Sequence, residues 1–125
     1  METTRQKIES FGTLPEGWNF GRGTNAPKEV VDKSLAILEY GENLGCSTDA
    51  FPEDEGNICI EFCRGDEFVD IYINVDGTFA LCHEKGIGAE YDELKDENPI
   101  SRDDALTYLE SFSKKPVEVL NESTT

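Results

Sequence analysis

Residues 57–84 read NICIEFCRGDEFVDIYINVDGTFALCHE, and the register of this stretch decides the fold. Asp76-Gly77 lies between two β-rich runs and is a strong hairpin signal, because a type I′ turn needs positive φ at both central residues and Asp and Gly tolerate it. A two-residue loop there pairs Val75 with Thr78, Ile73 with Ala80, Ile71 with Cys82 and Val69 with Glu84. Gly65-Asp66 offers a second two-residue loop, which pairs Phe62 with Val69, Ile60 with Ile71 and Ile58 with Ile73. Both turns then place Ile58, Ile60, Phe62, Val69, Ile71, Ile73, Val75, Ala80 and Cys82 on one face, the expected core face. Alternation sends Cys59, Glu61, Cys63, Phe68, Asp70, Tyr72, Phe79, Leu81 and His83 to the other.

Working outward, Pro27 is placed as an early helical residue. Val30, Val31, Leu35, Ile37, Leu38 and Leu44 recur at helical spacing before Gly45 supplies a stop, so the pattern predicts a helix over about 27–44. Gly41 weakens its last turn. Ser101, with Asp104 in a capping-box-like position, starts a second helix over 101–114, whose apolar stripe is Ala105, Leu106, Leu109 and Phe112. Residues 1–11 form a short helix held through Ile8 and Phe11. In the loop Gly12–Asn25, Trp18 and Phe20 are expected to plug an edge of the core, and Gly21-Arg22-Gly23 lacks the spacing of a phosphate-binding loop. Residues 46–51 add an edge strand, Pro52–Gly56 make an acidic turn, Ile87–Glu93 form a further strand or an acidic loop, and Lys95–Pro99 read as a polar connector. The fold class is therefore α+β, an antiparallel β-meander of three to five strands packed against the two main helices. One domain spans 1–115, and 116–125 read as a flexible tail.

The formal net charge is -16. Between Lys33 and Lys85 the only basic residue is Arg64, against Glu39, Glu42, Asp49, Glu53, Asp54, Glu55, Glu61, Asp66, Glu67, Asp70, Asp76 and Glu84. Glu90, Asp92, Glu93, Asp96 and Glu97 follow. Such a field repels nucleic acid and anionic membrane and steers a basic protein toward the sheet; the plainer account is that acidity keeps a small protein soluble. No run approaches the length of a membrane span, and METTRQKIES lacks a secretory apolar segment, so the expected location is the cytoplasm. Reduced thiols follow, since Cys59 and Cys63 share a face about 13 Å apart.

The run Leu14-Pro15-Glu16-Gly17-Trp18-Asn19, followed by a Gly-containing loop, a Pro-initiated helix and Ile60-Glu61-Phe62 before a short meander, resembles an uncharacterised bacterial family of small proteins with an L-P-x-G-W-[DN] start. The likeness covers roughly residues 14–84. It implies an α+β fold and carries no known activity or catalytic residues.

The residues admit three chemical readings. The two-residue register sets Glu61, Asp70 and His83 in one row, a candidate for metal binding or acid-base work, although His83 there also relieves the repulsion between the two carboxylates. A zinc site is excluded because Cys82 and His83 point to opposite faces and Cys59 and Cys63 are too far apart to chelate. A catalytic cysteine is disfavoured by the surrounding acids, which raise a thiol pKa. Phe68, Tyr72, Phe79 and Leu81 make an aromatic patch rimmed by carboxylates, either an interface or a second core layer beneath helix 101–114. The leading expectation is a non-enzymatic interaction protein, of the DNA-mimic, anti-CRISPR-like or antitoxin-like kind. It occupies a basic, nucleic-acid-binding surface of a partner through Glu53, Asp54, Glu55, Glu61, Asp66, Glu67, Asp70, Tyr72, Phe79, Glu90, Asp92 and Glu93. No cofactor, metal, direct nucleic-acid contact or membrane contact is expected.

Overall fold

A computed structural model describes residues 2–87 and 90–114; the tail expected over 116–125 lies outside them. Three helices, α1 (Thr4–Phe11), α2 (Lys28–Asn43) and α3 (Arg102–Lys114), accompany strands β1 (Ser47–Pro52), β2 (Ile58–Arg64), β3 (Glu67–Ile73), β4 (Phe79–Ile87) and β5 (Glu90–Ile100). The strands form one 5-stranded sheet in the order β1-β2-β3-β4-β5, antiparallel throughout. This is the expected α+β meander. The strand predicted over 46–51 is β1, and the two main helices fall within a residue of their predicted spans.

The β2–β3 hairpin has the expected register: Ile58 faces Ile73, Ile60 faces Ile71 and Phe62 faces Val69 across a Gly65-Asp66 turn. The β3–β4 hairpin does not. Ile73 pairs with Phe79, Ile71 with Leu81 and Val69 with His83, a slip of one residue from the two-residue loop. The loop is three residues long, Val75 to Gly77. The Gly77 N–H closes on the Asn74 carbonyl at 3.1 Å, and Gly77 takes the left-handed φ of 91°. Asp76 Oδ1 accepts from both the backbone N–H and the hydroxyl of Thr78. Asp-Gly thus supplies the last two positions of a longer turn rather than both centres of a type I′ turn.

A one-residue slip exchanges the two faces of a strand, and here it gains apolar burial. Phe79 and Leu81 turn inward in place of the smaller Ala80 and Cys82, and His83 goes with them. The expected core membership of Cys82 and Val75 is therefore corrected, as is the placing of Phe79, Leu81 and His83 on the opposite face. Val75 sits exposed at the turn.

All three helices pack on the inner face. Ile8 and Phe11 of α1, Val30, Ile37 and Leu38 of α2, and Ala105, Leu109 and Phe112 of α3 share one core cluster with Ile58, Ile60, Phe62, Val69, Ile71, Ile73, Phe79 and Leu81. Helix α1 holds despite its length because Thr3 and Gln6 form a reciprocal capping box and Ile8 and Phe11 are buried. It lies along the β1 edge, where the Thr4 hydroxyl donates to the Thr48 carbonyl at 3.1 Å. In α2, Gly41 is buried because the Phe62 ring rests on it; a Cβ there would lie 2.1 Å from Phe62 Cε1. Ser101 caps α3 by accepting the Asp104 N–H at 3.0 Å, as its position predicts.

Lys95–Pro99, expected as a connector, belongs to β5. Among the described residues this strand pairs on one side alone, and it carries bulges where it meets β4 between Phe79 and Leu81 and between His83 and Glu84, so it shows neither apolar alternation nor a steady period.

Candidate functional site: the open sheet face

With the helices on one side, the other side of the sheet is uncovered by any helix among the described residues. Helix α3 therefore makes no second core layer on this face, because its Ala105, Leu109 and Phe112 sit in the inner core. The register builds a row across the open face: Asp49 faces Glu61, Glu61 faces Asp70, Asp70 faces Cys82 and Cys82 faces Asp96. Next to it run Cys63, Phe68, Glu84 and Glu93, and on the other flank Phe51, Cys59, Tyr72 and Ala80. Phe51 is 43% exposed, with the Lys7 ammonium 5.3 Å from its ring centroid. Lys7 also pairs with Asp49 around the β1 edge, which holds that carboxyl below its usual range.

Among the described residues no ion pair gives Glu61, Asp70 or Asp96 such a counter-charge. Partial burial pushes the Asp70 carboxyl up to about 6, helped by the charges of Glu61 and Glu84, and one of its oxygens, Oδ1, is buried without a hydrogen bond. Burial and then Asp49 raise Glu61. Burial and the charges of Glu84, Asp96, Glu93 and Asp70 push the Cys82 thiol up to about 11. Cys59 and Cys63 are raised as well, chiefly by burial and secondarily by the acids, as expected for unreactive thiols. All four cysteines are free.

These shifts have a testable sign. A carboxyl whose folded pKa exceeds its ordinary 3.8 stabilises the fold relatively at low pH and loses that contribution as pH rises through about 6. Asp70→Asn is therefore expected to raise stability at pH 8 by about 1–2 kcal/mol, a figure reduced for solvent screening of a half-exposed group. The gain should vanish below about pH 4, where both side chains are neutral. Urea unfolding of both proteins at pH 4, 6 and 8 measures it; an equal gain at all three values would show that packing, not charge, is responsible.

Of the residues expected to bind a partner, the open face brings together Glu61, Asp70, Tyr72 and Glu93, with Glu53 at its end. A recess of about 330 Å³ there is lined by Glu53, Tyr72, Asn74, Cys82, Asp96 and Asn98 among others. Asp54 and Glu55 lie in the turn between β1 and β2, and Asp66 in the turn between β2 and β3. Glu90 and Asp92 sit on β5 opposite Ile87 and Lys85. Two expected contacts are elsewhere: Phe79 is buried in the core, and Glu67 turns to the helix side. Cys82, Glu84 and Asp96 join the face only through the three-residue turn.

The Glu61, Asp70 and His83 row does not form. His83, 2% exposed, lies on the inner face, where Nε2 meets Glu67 Oε1 at 2.8 Å and Nδ1 meets the Tyr108 hydroxyl at 2.6 Å. The tautomer protonated at Nε2 satisfies both contacts, with Tyr108 donating to Nδ1. His83 is thus a core histidine wedged edge-on between the rings of Tyr108 and Phe112. Among the described residues, the group with metal-ligand geometry is Cys82, Glu84 and Glu93, whose donor atoms lie within 4.8 Å of one another. Its thiol is protonated near neutral pH, so a cation would have to displace that proton before binding.

Comparison with protein-family models, with curated proteins and with solved structures returned no match. No helix of the described residues is long and apolar enough to cross a membrane.

Proposed function

We propose that the protein is a non-enzymatic docking protein whose acidic sheet face occupies a basic, nucleic-acid-binding surface of a partner protein, in the manner of a DNA mimic, an anti-CRISPR-like inhibitor or an antitoxin. The observation that carries this reading is the row Asp49, Glu61, Asp70 and Asp96, which crosses the uncovered face from edge strand to edge strand with only Cys82 interrupting it. Adjacent strands are about 4.8 Å apart, so the row is a line of charge comparable in kind to a phosphate backbone, which places one charge about every 3.4 Å per strand. Burial chiefly, and the charges of neighbouring carboxyls secondarily, raise Glu61 and Asp70, so the row carries some mutual repulsion. A cationic surface would relieve that repulsion on binding.

The test compares the protein with Glu61→Gln/Asp70→Asn/Asp96→Asn as baits for the heparin-retained fraction of a cell extract, followed by titration of the captured protein in purified form. The native chain is expected to bind, with affinity falling about 10-fold or more between 50 and 300 mM NaCl. The triple variant should bind far more weakly, and duplex DNA should compete. Equal binding by the variant, or binding indifferent to salt and DNA, would sink the reading.

A further inference from the structure

Resting on that reading, we propose that Phe20 is an aromatic anchor that enters an apolar pocket on the same basic partner, beside the acidic face. The residue occupies an unusual place. Asn19 and Arg22 exchange backbone hydrogen bonds of 2.7 and 3.0 Å, and the two residues between them have φ of 53° for Phe20 and 89° for Gly21. This is the geometry of a type I′ turn, whose first central position ordinarily goes to Asn, Asp or Gly because a side chain with a bulky Cβ substituent is strained there. Phe20 is the one non-glycine with positive φ among the described residues.

The side chain gains nothing inside the molecule in return. Phe20 is 100% exposed, contrary to the expectation that it plugs the core. A phenyl ring held wholly in water on a strained backbone carries two costs that the fold does not recover.

The loop is nonetheless held firmly. Gly17 donates to the Gly23 carbonyl at 2.8 Å, and the Trp18 indole N–H donates to the Thr24 carbonyl at 3.0 Å while lying so close over Gly23 that a Cβ there would sit 2.6 Å from Nε1. Asp54 clamps it from the turn between β1 and β2: its side chain accepts from Asn19 Nδ2 at 2.8 Å and pairs with Arg22 at 3.7 Å, and its carbonyl accepts the Thr24 N–H at 2.9 Å. A pre-ordered aromatic projecting from a clamped loop loses little entropy on docking, which is the condition for a binding hot spot.

The location selects the occupant. Asp54 is adjacent to Glu53, which borders the recess at the end of the acidic face. Glu16 is held beside the loop by the Thr24 hydroxyl at 3.0 Å. The loop that presents the ring carries Glu16 and Asp54 against the single cation Arg22, a net acidic setting that matches an apolar pocket bordered by Lys and Arg and opposes insertion into an anionic bilayer.

The test uses Phe20→Asn, whose residue suits the turn, with Phe20→Ala and Phe20→Trp beside it. Without any partner, Phe20→Asn is expected to raise Tm by about 3–6 °C; a fall in Tm would assign Phe20 to the fold and overturn the proposal. With the captured basic protein, Phe20→Asn and Phe20→Ala should weaken binding about 30-fold or more while Phe20→Trp retains most of it. Binding unchanged within about twofold overturns the anchor and leaves the acidic-face reading standing. Loss in the Phe20 variants with none in the triple acid variant does the reverse. An extract that yields no basic partner overturns both. Sedimentation with phosphatidylcholine vesicles, or self-association, that depends on Phe20 would also overturn the proposal, by assigning the ring to lipid or to a second copy.

Discussion

Leu81→Ala is expected to cost about 3 kcal/mol of stability, within the range for truncating a fully buried leucine, and Cys82→Ala less than about 1 kcal/mol. The two residues are neighbours in β4, and the contrast reads the strand's register directly. Leu81 is 0% exposed on the inner face opposite Ile71, so truncation opens a cavity in the core cluster. Cys82 stands on the open face between Asp70 and Asp96, where losing a half-buried thiol leaves no enclosed void. The same change also removes no hydrogen bond from the core. Urea midpoints at constant m-value measure both variants. The opposite order of costs would return β4 to the two-residue turn and put Leu81 on the acidic face.

Gly41→Ala should be nearly as damaging, and in the direction opposite to helix propensity. In an exposed helix interior the substitution gains about 1 kcal/mol. Here the added methyl falls 2.1 Å from Phe62 Cε1 and 2.7 Å from Cδ1, and Phe62 is fully buried. Either the ring leaves its rotamer or α2 lifts off the sheet, so a net loss of about 2–3 kcal/mol is expected. Phe62→Leu by itself also destabilises, but in the double variant the two losses should fall well short of their sum, because the smaller side chain makes room for the methyl. A thermal-unfolding cycle over the four proteins checks this. Strict additivity would mean that the contact between Gly41 and Phe62 does not limit the approach of helix to sheet.

What the sequence disclosed follows the strength of its local signals. The β2–β3 hairpin was legible because Gly65-Asp66 and the alternating Ile58, Ile60, Phe62, Val69, Ile71 and Ile73 give one answer. The main helices were legible from apolar spacing with Pro27, Gly45 and Ser101 as punctuation. The β3–β4 register was not, because Asp76-Gly77 suits both a two-residue and a three-residue loop. The choice rests on whether Phe79 and Leu81, or Ala80 and Cys82, bury more apolar surface against helices distant in the chain. Strand β5 was legible only at its start, where 87–93 read as a further strand or an acidic loop, and its second half read as a connector because a polar, bulged edge strand has no periodicity to find. The acidic face was accordingly read in part: Glu61, Asp70 and Tyr72 follow from the first hairpin, whereas Cys82, Glu84 and Asp96 depend on the second. Phe20 was assigned to the interior on hydrophobicity alone, and only Asn19 and Arg22 closing on each other reveal the turn that turns it outward.

The docking of α1 along β1 bears on how copies of the chain treat one another. A sheet grows into a fibre by adding strands at both margins, and α1, fastened to Thr48, shields one of them. Among the described residues the other margin is β5, where Glu90, Asp92, Glu93, Asp96 and Glu97 would oppose the same charges of an incoming twin. Strand addition is thus opposed by steric cover on one side and by electrostatic repulsion on the other, so the sheet face that no described helix covers lies between two margins that each resist pairing with another copy.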